Sequence, residues 1–205
     1  MTIITTGERF VAKTMPMTIA IAVHIEKYDP AWPDMAARLA ADLALLGPTL
    51  LTVHHIGSTA IPNMAAKPVI DLMPIVSNLA ALDAKQKLVE SLGYSCHGEF
   101  GVAGRRFCAL SDTDGNRIAQ LHFYEAESPH ARRQLAFRDY LRSFPVLAAE
   151  YEAEKRRARE LFPNDSHAYS AEKGAWIRAT ETKALVWFKG DVLAKAKTVL
   201  RFANS

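Results

Sequence analysis

The run VIDLMPIV, residues 69–76, limits the possible folds of this chain more than any other stretch. In extended backbone, side chains alternate between two faces. Val69, Asp71, Met73 and Ile75 fall on one side, and Ile70, Leu72, Pro74 and Val76 on the other. Both sides are largely apolar, so the strand needs a packed layer above and below and belongs inside a sheet. Pro74 limits ladder bonding on one side or marks the strand's end. Asp71 is the exception. A carboxylate placed there is desolvated and needs a cation, a metal or several donors.

The rest of the chain supplies such layers. Thr18–Ile25 reads as a strand, and the prolines of YDPAWP lead into an apolar helix, MAARLAADLALLG, that stops at Gly47. Leu50–Ile56 is a second strand. Residues 79–93 carry Leu79, Leu82, Val89 and Leu92 at helical spacing, closed by Gly93. Tyr94–His97, Arg105–Leu110 and Arg117–Tyr124 read as strands, the last two joined by the SDTDGN turn into a hairpin. From Ser128 the pattern is helical. Ser128 is a cap with Pro129 behind it, Pro145 opens a second helix, and a third runs from about Ser170 to Phe202 with a break near Gly190. The expected organisation is a poorly ordered lead-in at 1–18, an α/β core at 19–127 and a helical region at 128–205 packed on it, an α+β fold overall.

With 205 residues, 49% of them apolar, the chain can bury such a strand within one sizeable domain. A net charge of +3 is too mild to argue for nucleic acid. EKRRAR at 154–159 spreads over several helix faces as solvated surface, and no basic stripe is interleaved with aromatics, so no dedicated nucleic-acid binding is expected. No apolar run approaches the roughly 20 residues that span a bilayer. The N-terminal MTIITTGERFVAKTMPM lacks a signal core, and a cytoplasmic, non-membrane protein is expected. Cys96 and Cys108 read as buried reduced thiols, with a bridge or a reactive thiol as the alternative.

Thirteen residues before Asp71 lies a glycine–hydroxyl turn. Gly57 permits close backbone approach to a ligand, and Ser58 and Thr59 offer hydroxyls on a turn that can bind an anion. Lys67 can reach a phosphate or Asp71 itself. The plain alternative is a tight turn beside a structural Lys67–Asp71 ion pair. His54 and His55 face opposite sides of their strand and read as core histidines.

IGSTAIPNMAAKPVID resembles the signature of the GrpB family, also called UPF0157. The likeness extends to YDPAWP, GRRF at 104–107, LHFYEAESP, FRDYLRSFP, and Tyr169 with Lys173, over residues 19–190. Asn63-Met64 replaces the usual Gly-Leu, which stiffens the loop, and Gln120 stands where many members have histidine. The resemblance implies a nucleotidyltransferase-like mixed sheet with flanking helices and a C-terminal helical extension. In that superfamily a Gly-Ser turn grips phosphates and two acids hold divalent metal. Here the second acid's place is taken by Met73, a poor magnesium ligand.

His122 is the leading residue to complete the site. If its strand neighbours that of Asp71, the pair suits manganese, zinc or iron better than magnesium, or forms a general base held by a carboxylate. A hydrogen-bonded histidine on a half-polar sheet face is the plain alternative. Asp71 and His122 are thus the candidate catalytic and metal-binding residues, for Mg, Mn or Zn, with Glu125 a further possible ligand. Gly57, Ser58, Thr59, Lys67, Arg105 and Lys173 are candidate ligand contacts. Of Arg105 and Arg106, only one should face the pocket. Arg138 and Asp139 are expected to tie the helical half to the sheet. Two functions follow from the resemblance. One is metal-dependent nucleotidyl transfer or phosphoester chemistry on a nucleotide or phosphorylated small molecule. The other is a non-catalytic nucleotide-binding or accessory module linked to coenzyme A metabolism, since some members are fused to dephospho-coenzyme A kinase.

Overall fold

The computed structural model describes residues 22–203, with side chains to residue 190. Five strands form one mixed sheet: β1 (Leu50–Ile56), β2 (Ile70–Val76), β3 (Ser95–Cys96), β4 (Arg106–Ser111) and β5 (Arg117–Glu125), in the order β1-β2-β5-β4-β3. β2 and β5 run parallel, and the other neighbours are antiparallel. The apolar run is therefore interior, flanked by β1 and β5. Pro74 lies within β2 opposite Val53, and the pairing with β5 lapses between Leu72 and Ile75, where a proline has no N–H to give. The fold is α+β, as the sequence leads one to expect.

Each face of β2 has its own cover. Ile70, Leu72 and Val76, with Ala119, Leu121 and Phe123 of β5, pack against α1 (Trp32–Asp42), α2 (Leu79–Asp83) and α3 (Gln86–Ser91). On the other face Met73, Ile75 and Tyr124 meet Ala131 and Leu135 of α4 (Pro129–Ser143). The loop between β1 and β2 buries Ile61 and Met64 against Leu141 of α4 and Tyr151 of α5 (Pro145–Leu161). α6 (Ser166–Glu172) and α7 (Gly174–Ala203) complete the helical half.

Several local expectations need correction. Positions 18–21 of the proposed first strand lie outside the described residues. Residues 22–25 are not in a strand, and the segment is tied down by the Val23 N–H bond to the Pro163 carbonyl and by a bridge between Glu26 and Ala66. The helix expected over 79–93 is two short helices, because the chain turns at Ala84–Lys85. The apolar helix ends at Asp42, and a 3-10 segment carries the chain through Leu43–Thr49, with Gly47 at φ 58°. The last helix is interrupted at Lys173 rather than near Gly190. Cys96 and Cys108 are not free thiols: the β3–β4 register sets them opposite one another, and they form a disulfide. At φ 61° Asn63 takes a left-handed conformation open to both glycine and asparagine, and Met64 is buried beside it.

Candidate functional site

Gly57 ends β1 with a φ of 73° and opens a short 3-10 turn, Ser58–Ala60. Ile56 is in register with Asp71, so the turn lies over that carboxylate. A Cβ on Gly57 would collide with the Asp71 side chain, so the position demands glycine twice: for its φ and for its space. α4 fixes the turn from above. Arg138 donates to the His55 carbonyl at 2.9 Å and pairs with Asp139, and Arg142 donates to the Ala60 carbonyl at 2.8 Å. Arg138 has the tying role its motif suggests, with Asp139 holding its guanidinium, and Arg142 shares it. His55 bonds the Thr59 hydroxyl at 2.9 Å through Nε2, and burial pushes its pKa down to about 4, so it stands as neutral imidazole.

The turn borders a cleft of about 130 Å³, lined by Ser58, Thr59, Lys67, Asp71, Gln120, Tyr169, Lys173 and Lys155 among others. Three ammonium groups thus meet one carboxylate. Lys67 Nζ donates to Ser166 Oγ at 2.6 Å and lies 5.3 Å from the Tyr169 ring centre, with no ion pair to Asp71. Lys173 Nζ lies over the same ring at 4.3 Å. Lys155 is only 2% exposed; it donates to the Ala65 carbonyl and sits 5.0 Å over Tyr151. Burial depresses all three, and a neighbouring cation adds to it at Lys155 and Lys173. Burial, then Lys173, lowers Lys155 to about 7, and burial, then Lys67, lowers Lys173 to about 8. Burial lowers Lys67 too.

Asp71 is beside Gln120 across the parallel pair, and its Oδ1 lies 3.4 Å from His122 Nε2. Nδ1 of His122 is buried and has no partner among the described residues. The two side chains do meet. No third histidine, cysteine or carboxylate joins them among the described residues, Met73 is fully buried, and the nearby lysines oppose a cation. Glu125 is turned away, accepting from the backbone N–H of Leu79 at the start of α2.

Ser58, Thr59, Lys67, Asp71 and Lys173 come together at the cleft, with Gly57 against Asp71 and His122 behind it. Arg105 does not line it. The carbonyls of Glu99 and Phe100 hold its guanidinium over Phe107. Arg106 points to the other face and makes a two-bond pair with Asp83. Lys155 was missed, because EKRRAR reads as solvated surface. Its place was nonetheless encoded: Tyr151, Lys155 and Ala158 share the buried stripe of α5 at helical spacing.

The GrpB protein family profile matches residues 22–183. The chain belongs to the GrpB family. It is similar to the UPF0157 protein YqkA of Bacillus subtilis, 36% identical over 84% of this chain but 49% of that protein, so the chain spans about half of this relative. It also resembles the glutamate-rich protein GrpB of Alkalihalophilus pseudofirmus, 29% identical over 65% of this chain and 78% of the other. The solved GrpB from Enterococcus faecalis superposes with a TM-score of 0.76 and 35% identity, covering 80% of this chain and 99% of that one. At far greater distance the fold resembles the Cid1 poly(U) polymerase, with a TM-score of 0.47 and 14% identity over 72% of this chain and 49% of the other. Among the described residues of this GrpB chain no helix is long and apolar enough to cross a membrane.

Proposed function

We propose that this GrpB chain binds a nucleotide or another phosphorylated small molecule, its phosphoryl oxygens held in the cleft by Lys67, Lys155 and Lys173 beside the Ser58–Thr59 turn. The observation that carries this reading is the surplus of ammonium over carboxylate in a partly desolvated cleft. Such an arrangement is costly when empty of anion and is relieved by a dianion. The aromatic faces of Tyr151 and Tyr169 hold all three lysines in place before any ligand arrives. A relative of this chain is named dephospho-CoA kinase (31% identical over 80% of this chain and 46% of that protein), which brings coenzyme A precursors into the class worth testing.

Calorimetry with ATP, pyrophosphate and dephospho-coenzyme A is the test. We expect binding without added magnesium, weakened at least tenfold in Lys67→Ala or Lys173→Ala. Wild-type protein that binds none of these anions would end the reading.

A second reading, phosphoester chemistry, is favoured by the His122–Asp71 contact. Asp71, which lines the cleft and is held by His122 Nε2, would take a proton from an attacking hydroxyl or water. Under this reading Asp71→Asn and His122→Gln each abolish turnover of a phosphorylated substrate that both variants still bind.

A further inference from the structure

The sheet face that carries Asp71 continues beyond the cleft. His122 in β5 is paired with Phe107 in β4, and their rings lie 5.4 Å apart. Phe107 is covered in turn by Phe100, a nearly parallel ring with its centre 4.9 Å away and planes 11° apart. His97 leans against both at 5.5 and 6.0 Å. Phe107 is buried, but Phe100 is 62% exposed. A single surface phenylalanine means little. This one is built in an unusual way, however. Its backbone sits at φ 44°, a conformation that is rare and costly for a bulky residue. Gly98, Gly101 and Gly104, all at positive φ, shape the turn around it. Arg105 clamps the turn from below by donating to the Phe100 carbonyl at 2.6 Å and the Glu99 carbonyl at 3.2 Å, while its guanidinium lies on Phe107. Glu99 also closes the turn by accepting from Gly104 N–H at 2.7 Å. The result is a flat aromatic surface, backed by a second ring and presented to solvent.

We propose that Phe100 is a stacking platform for the planar ring of the ligand, with Arg105 as its positioning residue. This rests on the phosphate-cleft reading and narrows it to a nucleotide or similar base-bearing phosphate ester. The spacing suits such a ligand. Phe107, beneath Phe100, is on β4, two strands from the β2 that carries Asp71, and strands lie about 4.8 Å apart, so these two residues are separated by roughly 10 Å across the sheet. That is about the reach from a base to the phosphates of an extended nucleotide. Gln120 and His122 lie on the face between them. A free aromatic face takes any base, so recognition here is of a ring rather than of base identity.

The test is calorimetry of ATP against inorganic triphosphate on the wild-type chain, Phe100→Ala and Phe100→Trp. Phe100 is exposed, so neither variant should disturb folding, and circular dichroism checks this. We expect ATP to bind about tenfold more weakly to Phe100→Ala, triphosphate to bind unchanged, and Phe100→Trp to restore ATP affinity. Equal affinity of Phe100→Ala and wild type for ATP, with both anions still bound, overturns the platform and leaves the cleft reading standing. Failure of the wild type to bind either anion overturns both.

Discussion

The two faces of one sheet are built on opposite terms. Towards α1–α3, strands β2 and β5 present Ile70, Leu72, Val76, Ala119, Leu121 and Phe123, all nearly or wholly buried. On the other face the same strands present Met73 and Tyr124 under α4, then Asp71 and Gln120 lining the cleft, with His122 against Asp71. The first face is held by packing and tolerates no gap. The second spends its middle on polar groups that lack full partners among the described residues: one carboxylate beside a cleft lined by three lysines, and a buried imidazole nitrogen without a bond. Adjacent residues in a single strand therefore answer to different requirements, and substitutions should separate them.

The largest effect on stability belongs to the packed face. Leu72→Ala removes a side chain that is 1% exposed and leaves a cavity, which should cost about 2–5 kcal/mol by chemical denaturation. Its neighbour Asp71→Asn should move the denaturation midpoint far less. It should also tighten pyrophosphate binding several-fold, because the carboxylate that repels an anion from the cleft is gone. Weaker anion binding in Asp71→Asn would mean that the carboxylate takes part in holding the ligand.

Lys155 sharpens the contrast, being a cation at a core position. Lys155→Met keeps the stem's volume and deletes a charge that lacks a carboxylate partner within ion-pair distance among the described residues. We expect the variant to melt at the same or higher temperature, yet to bind pyrophosphate at least tenfold more weakly. A variant that unfolds would show that the bond to Ala65 outweighs the cost of the buried charge.

The same lysines set a pH dependence. Their ordinary value is 10.5, and the fold lowers Lys155 to about 7 and Lys173 to about 8. Between those values and 10.5 the unfolded chain holds protons that the native chain has released, so native stability rises with pH across that window. Below about pH 7 the penalty is present in full. Anion binding has the opposite trend, since it needs the charged amines. Affinity for pyrophosphate should fall as pH rises from 7 to 9, and binding near pH 8 should take up protons, which calorimetry in buffers of different ionisation enthalpy reads directly.

Much of this division is written in the sequence. The period-two alternation of residues 69–76 places Asp71 and Leu72 on opposite faces, and the spacing of Gly57–Ser58 from Asp71 foretells their meeting. The SDTDGN turn sets the β4–β5 hairpin. What escapes is what other segments decide. Cys96 and Cys108 bond because a two-residue strand finds its register against β4, which no local pattern reveals. Lys155 turns inward because the Ala65 carbonyl and Tyr151 receive it, although the charges around it in sequence look solvated. Residues 79–93 keep helical spacing across a turn that breaks them, because both short helices still rest on the same face of the sheet.

The smallest effects test the comparison where two arginines stand side by side. Arg105, just before β4, and Arg106, its first residue, serve opposite faces. Arg106 pairs with Asp83 near the surface, and such a pair contributes about 1 kcal/mol or less. Arg106→Ala should therefore lower stability slightly and leave every ligand's affinity unchanged. Arg105→Ala should leave the melting temperature nearly as it is, because its bonds run to an exposed turn. It should weaken ATP without weakening triphosphate, and to a lesser degree than Phe100→Ala, since it loosens the turn but keeps the ring. Arg105→Lys restores a cation but cannot donate to two carbonyls from a planar group, so it should rescue little of that loss. If Arg106→Ala, rather than Arg105→Ala, altered nucleotide affinity, the assignment of the two faces would be reversed, and the ligand would have to be sought on the side of α2.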